Sequence, residues 1–143
     1  MGNICRSPMA WAVCRKLAAD QGREKEFEFD AAGTDAYHIG QPMDERAKAV
    51  LQAHHYPVGK QRCRQVKPED FERFDWILTM DRDNLDALRR RCPVEQAHKL
   101  RLFLSFSKLD TDEVPDPYYG DKAGFERVLQ LCEAGARGFL ASL

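Results

Sequence analysis

The chain predicts an α/β fold, a parallel sheet with helices on both faces. Three observations carry this reading. Stretches with apolar residues at helical spacing alternate with short apolar or alternating runs. The alternation continues from the first ten residues to the last twenty. No linker, internal repeat or low-complexity stretch interrupts it, so residues 1–143 read as one domain. Strands separated by helices pair in parallel, because a helical crossover returns the chain to the same end of the sheet.

Each element has its own signal. A first helix is expected from Ser7, a good N-cap, through Pro8 at the first helical position, where its missing N–H costs nothing. Met9, Val13 and Leu17 recur at helical spacing to about Ala19, and Gly22 provides the stop. Phe27 and Phe29 alternate into Asp30 as a short strand ending near Gly33. Asp44 opens a second helix through Ala47, Val50 and Leu51, and Pro68 starts a short helical turn. The apolar run 74–80 reads as a buried strand. From Asp81 to Cys92 the pattern is helical with Leu85 and Leu88 facing in, and Asp81 and Asn84 form a helix-opening pair with a structural role. Leu100, Leu102, Leu104 and Phe106 alternate as a third strand. A last helix from about Lys122 to Leu140 buries Phe125, Val128, Leu129, Cys132, Ala136 and Phe139.

Composition narrows the function. Hydrophobic residues make up 43% of the chain and charged residues 31%, enough for a core and a solvated surface. A net charge of −1 gives no general attraction to nucleic acid or to an anionic membrane, so neither is expected as a partner. Cys5, Cys14, Cys63, Cys92 and Cys132 are odd in number and lack metal-ligand spacing. They read as reduced thiols of a cytoplasmic protein, and no metal or other cofactor is expected. His38, His54, His55 and His98 are scattered, and the basic stretches Arg89-Arg90-Arg91 and Lys60, Arg62, Arg64, Lys67 read as solvated faces.

The opening run Gly2-Asn3-Ile4-Cys5-Arg6-Ser7-Pro8 carries the chemistry. Gly2 permits backbone angles closed to other residues. The free N–H groups at a helix start form an anion-binding concavity, reinforced by the positive end of the helix dipole. Arg6 supplies a rigid fork of donors matched to two phosphate oxygens.

This run resembles the phosphate loop of the low molecular weight protein-tyrosine-phosphatases, of the form C-x-G-N-x-C-R-S-x. Ala32-Gly33-Thr34 with Tyr37-His38-Ile39-Gly40, and Asp116-Pro117-Tyr118-Tyr119-Gly120 with Phe125-Glu126, agree with the same family in order and spacing. The resemblance therefore extends from the first residue into the last helix. It implies a three-layer α/β/α fold of the phosphotyrosine phosphatase I type, with a parallel four-stranded sheet whose first strand is central. The nucleophilic Cys of the family pattern falls one residue before Met1, and the central strand lies further upstream. Both are outside this sequence, so a domain incomplete at its N-terminus is expected, with a miscalled or truncated start as the cause. Loss of a central strand removes several apolar side chains worth about 1.5 to 3 kcal/mol each, against roughly 5 to 15 kcal/mol in total. The chain alone is expected to be unstable or to aggregate.

Phosphomonoester hydrolysis through a covalent intermediate needs a thiolate, donors for the phosphoryl oxygens and an acid for the leaving phenolate. By resemblance Arg6 and the amides of Gly2, Asn3, Ile4, Cys5 and Ser7 hold the phosphoryl group, Asn3 also bracing the loop. Asp116 is the general acid, although an Asp between prolines also reads as a turn. Tyr37, Tyr118 and Tyr119 form the cleft walls, where aromatic faces sandwich a phenyl ring. The family often has Ser at the position of Ala31 and His near Gln61 bracing that Asn, and their absence implies a differently supported loop. Cys5 is implied as a reversible disulfide partner of the nucleophile and is poorly placed to be the nucleophile itself. The expected function is a protein-tyrosine phosphatase acting on phosphotyrosine proteins or aryl phosphates and releasing inorganic phosphate, and this chain alone is expected to be inactive. The alternatives are a pseudophosphatase that binds phosphate without hydrolysis and an arsenate reductase on the same scaffold. Against the latter stand the Asp116 segment and the lack of paired redox cysteines.

Overall fold

The computed structural model describes residues 6–34, 39–59, 62–117 and 120–143. Among these a short parallel sheet separates two layers of helix. Strand β1 (Ile77–Thr79) pairs with β2 (Leu100–Leu102), matching Ile77 to Leu100, Leu78 to Arg101 and Thr79 to Leu102. Side chains alternate across a strand, so neighbouring residues serve opposite faces. Leu78 packs with the large cluster that includes Met9, Val13, Val128 and Leu129, whereas Ile77 and Leu100 pack with Phe71, Leu85 and Leu88.

The larger layer consists of α1 (Arg6–Asp20), α2 (Glu45–Ala53) and α5 (Lys122–Ala141). Helix α2 opens on Asp44, whose carboxylate accepts the N–H groups of Arg46 and Ala47, and α5 opens on Asp121, which accepts that of Gly124. Close approach on α5 depends on glycine: a Cβ at Gly135 would press into the Phe103 ring, and one at Gly138 would collide with the Phe106 carbonyl. The smaller layer holds α3 (Pro68–Arg73) and α4 (Arg82–Arg89). Pro68 stands at the start of α3, and the Asp70 carboxylate reaches back to the Lys67 N–H. Asp81 caps α4, accepting the Asn84 N–H at 2.8 Å.

Four sequence expectations are corrected. Helix α1 already includes Arg6, so Ser7 and Pro8 lie inside its first turn and Ser7 is not its cap. The strand expected over 74–80 is confined to Ile77–Thr79. The alternating run after Leu100 stops pairing at Leu102, and Phe103–Phe106 turns into a 3-10 helix that buries Phe103 and Leu104 side by side against α5. Phe27 and Phe29 are extended with stacked rings, yet the stretch has no ladder partner among the described residues and is not a strand. A strand exists only where a neighbour pairs with it.

What borders that stretch is a cavity of about 310 Å³, lined by Trp11, Phe27, Phe29, Trp76, Leu78 and Phe139 among others. The edge of β1 that faces away from β2 makes no main-chain hydrogen bond among the described residues. The extended stretch is tethered by ions: Arg64 bridges Asp30 and Asp70 at 2.9 and 2.8 Å, and Arg73 pairs with Glu28. Arg64 is thus a structural cation and not part of a solvated basic face.

Candidate functional site

The start of α1, the carboxyl end of β1 and the stretch 111–117 meet around one side chain. Arg6, in the first turn of α1, is only 5% exposed. Its Nη1 donates to Asp81 Oδ2 at 2.6 Å and to the Val114 carbonyl at 2.7 Å. Its Nε and Nη2 have no partner among the described residues. One corner of the guanidinium is therefore clamped, and the edge left unbonded among the described residues is the two-donor edge whose spacing fits a phosphate.

Asp81 owes its position to the fold. It follows β1 by two residues and caps α4, so its carboxylate lies at the strand-to-helix turn where open α/β sheets place their ligands. Burial pushes its carboxyl upward. The hydrogen bond from Arg6, the Asn84 N–H and the Arg6 charge outweigh that push and hold it below the usual carboxylate range. Asp81 is ionised near neutrality and Arg6 is fixed by charge as well as by geometry. Val114 is fully buried, and its N–H donates to the Met80 carbonyl at 2.7 Å. The same peptide segment thus holds Arg6 and begins the stretch that carries Asp116.

Of the residues expected at the site, Arg6, Ser7 and Asp116 are described. Ser7 is half-buried in the first turn of α1, beside the cavity. Asp116 is exposed between Pro115 and the buried Pro117. Gly2, Asn3, Ile4, Cys5, Tyr37, Tyr118 and Tyr119 lie outside the described residues, as do Met1, His38, Lys60 and Gln61. Sequence reasoning gave Asp81 a purely structural role and missed its contact with Arg6, 75 residues away. The available signal was a carboxylate at the end of a predicted strand and the head of a helix.

The remaining thiols are not poised for nucleophilic work. Burial pushes Cys14 up to about 12, and it raises Cys132, Cys63 and Cys92 as well. Cys14, Cys63 and Cys132 are packed in the core, as expected of structural thiols. Among the described residues no cluster of His, Cys, Asp or Glu has the arrangement of a metal site, and no helix is long and apolar enough to cross a membrane.

Comparison with known proteins agrees with this geometry. The family model for low molecular weight phosphotyrosine protein phosphatase matches residues 1–143. A low molecular weight protein-tyrosine-phosphatase of Streptomyces coelicolor is 44% identical over 147 residues, covering 99% of this chain and 88% of that protein. The human low molecular weight phosphotyrosine protein phosphatase is 40% identical over 142 residues, covering 98% and 89%. Among solved structures, a protein tyrosine phosphatase of Entamoeba histolytica with Hepes in its active site superposes with a TM-score of 0.96 at 38% identity, covering 99% of this chain and 91% of that one. YfkJ of Bacillus subtilis superposes with a TM-score of 0.93 at 38% identity, covering 99% and 89%.

Proposed function

Because the chain belongs to the low molecular weight phosphotyrosine protein phosphatase family, we propose that the protein, with its nucleophilic Cys supplied directly before position 1, hydrolyses phosphotyrosine through a cysteinyl-phosphate intermediate, with Arg6 holding the phosphoryl group and Asp116 as general acid. The observation that carries this reading is the clamped Arg6: a buried guanidinium at the head of α1, fixed by Asp81 and the Val114 carbonyl, with its two-donor edge unbonded among the described residues. A phosphoryl dianion there gains the charge of Arg6 and the positive end of α1, whose first turn contains no acidic residue.

In this mechanism the thiolate is a Cys directly before position 1, as the family pattern has it. It attacks phosphorus, an S–P bond forms, and the bond from phosphorus to the tyrosyl oxygen breaks as Asp116 gives that oxygen its proton. Water then attacks the phosphocysteine, Asp116 takes a proton from the water, and inorganic phosphate leaves. Arg6 and the amides of Gly2, Asn3, Ile4, Cys5 and Ser7 carry the charge on the equatorial oxygens in both steps. Ser7 donates its hydroxyl to the departing thiolate. Tyr37, Tyr118 and Tyr119 hold the phenyl ring. No metal takes part. The enzyme acts in the cytoplasm, where unpaired thiols such as Cys14 and Cys132 stay reduced.

Titration with inorganic phosphate, the product, tests the Arg6 assignment without relying on turnover. The native protein is expected to bind phosphate in a calorimeter, and Arg6→Lys, which keeps the charge but loses the fork, should bind at least about tenfold more weakly. Equal affinities would remove Arg6 from the site. Phosphate binding without hydrolysis of any aryl phosphate by the native protein would mean a pseudophosphatase.

A further inference from the structure

The stretch that carries Asp116 is fastened to α4 by a set of contacts that phosphate binding does not require. Residues 112–114 lie against 80–82: the Val114 N–H bonds to the Met80 carbonyl, and Arg82 meets Asp112 and Glu113. The Arg82 side chain donates from Nη2 to Asp112 Oδ2 at 2.5 Å, and its Nη1 lies 3.6 Å from Glu113 Oε1. The other oxygen of Glu113 accepts the main-chain N–H of Arg82 at 2.7 Å. That N–H is the first of α4, so the Glu113 carboxylate satisfies an orphan donor at the positive end of the helix. Thr111 braces the turn, its hydroxyl donating to the Glu113 carbonyl at 3.2 Å.

We infer that Arg82, Asp112 and Glu113 form a clasp that positions Asp116 relative to Arg6 for protonation of the leaving group. The inference rests on the phosphatase reading above. Transmission is short and stiff: Pro115 and Pro117 have fixed φ, and Val114 and Asp116, each preceding a proline, are held to extended backbone. Setting Val114 and Glu113 therefore sets the course of the chain through Asp116. The first turn of α4 becomes the common reference for both halves of the reaction, with Asp81 fixing the phosphate-binding guanidinium and Glu113 fixing the acid.

The test compares Glu113→Gln and Arg82→Gln with the wild type, all as the native protein, on phenyl phosphate and p-nitrophenyl phosphate. Phenolate is a poor leaving group and needs the proton of Asp116, whereas p-nitrophenolate needs it little. Both variants should lose about threefold to tenfold in kcat/KM on phenyl phosphate, the scale of a few exposed charge-assisted contacts, and less than about twofold on p-nitrophenyl phosphate. Amide exchange at Val114 should speed up in both. Equal losses on the two substrates, or unchanged exchange at Val114, would overturn the clasp. A wild type that hydrolyses neither substrate would instead defeat the phosphatase reading. In that event faster exchange still supports the clasp as the anchor of this stretch, and unchanged exchange removes it.

Discussion

The layer formed by α1, α2 and α5 and the extended stretch around Phe27 and Phe29 are held by different means. In the helical layer Val13, Val128, Leu129, Phe125 and Cys132 are completely buried, and two glycines admit close contact with the 103–106 turn. The extended stretch borders a cavity, lacks a ladder partner among the described residues and is tethered by Arg64 and Arg73. Arg6 belongs to the first region and Ser7 reaches the second. The difference teaches that the Arg6 corner is positioned by helix packing and α4 capping.

Substitutions on the two sides should separate accordingly. Phe125→Ala should cost about 3 to 5 kcal/mol in urea unfolding, because the packed layer cannot collapse around the lost ring. A cost as small as that at Phe29 would break the comparison. Gly138→Ala should cost about 1 to 3 kcal/mol, since the 103–106 turn must move away from α5.

Charge at the corner gives a pH signature. Asp81, Asp70 and Asp44 are each held below the usual carboxylate range against the upward push of burial, by Arg6, Arg64 and Arg46 respectively. As pH falls the unfolded chain takes up these protons first, so this stability is complete above the unfolded pKa and is lost as pH falls through the lower folded ones. Urea midpoints should be flat from about pH 5 to 7 and drop below about pH 4. Asp81→Asn should lower the unfolding free energy at neutral pH by about 1 to 3 kcal/mol and flatten the acid slope. An unchanged slope would mean that the Arg6 pair contributes nothing.

Phe29→Ala, on the cavity side, should cost only about 1 kcal/mol, as its ring is partly buried. The smallest effect concerns the thiols. Alkylation of the folded protein should reach the half-exposed Cys92 before the core Cys14 and Cys132. Reaction at Cys14 at the same rate as at Cys92 would show that the packed helical layer opens readily.

Much of the fold was legible because its signals are local. Asp44, Pro68, Asp81 and the apolar face of 122–141 mark their elements by capping chemistry and helical period, and each is found where expected. The strands were overextended because a strand depends on its neighbour: Leu104 and Phe106 alternate with polar residues, yet α5 draws that segment into a 3-10 turn. At the site, Arg6 stood out through its surrounding run. Asp81 and Val114 did not, because one looked like an ordinary cap and the other contributes a backbone carbonyl, which leaves no trace in residue identity.

The most direct test of the phosphatase account is to quench the native protein during turnover of p-nitrophenyl phosphate and to map the adduct by peptide mass. The account predicts one phosphoryl group on a thiol directly before Met1, in the peptide leading to Arg6, and its loss from the Arg6→Lys variant. Hydrolysis that proceeds with no phosphorylated cysteine in that peptide would contradict it.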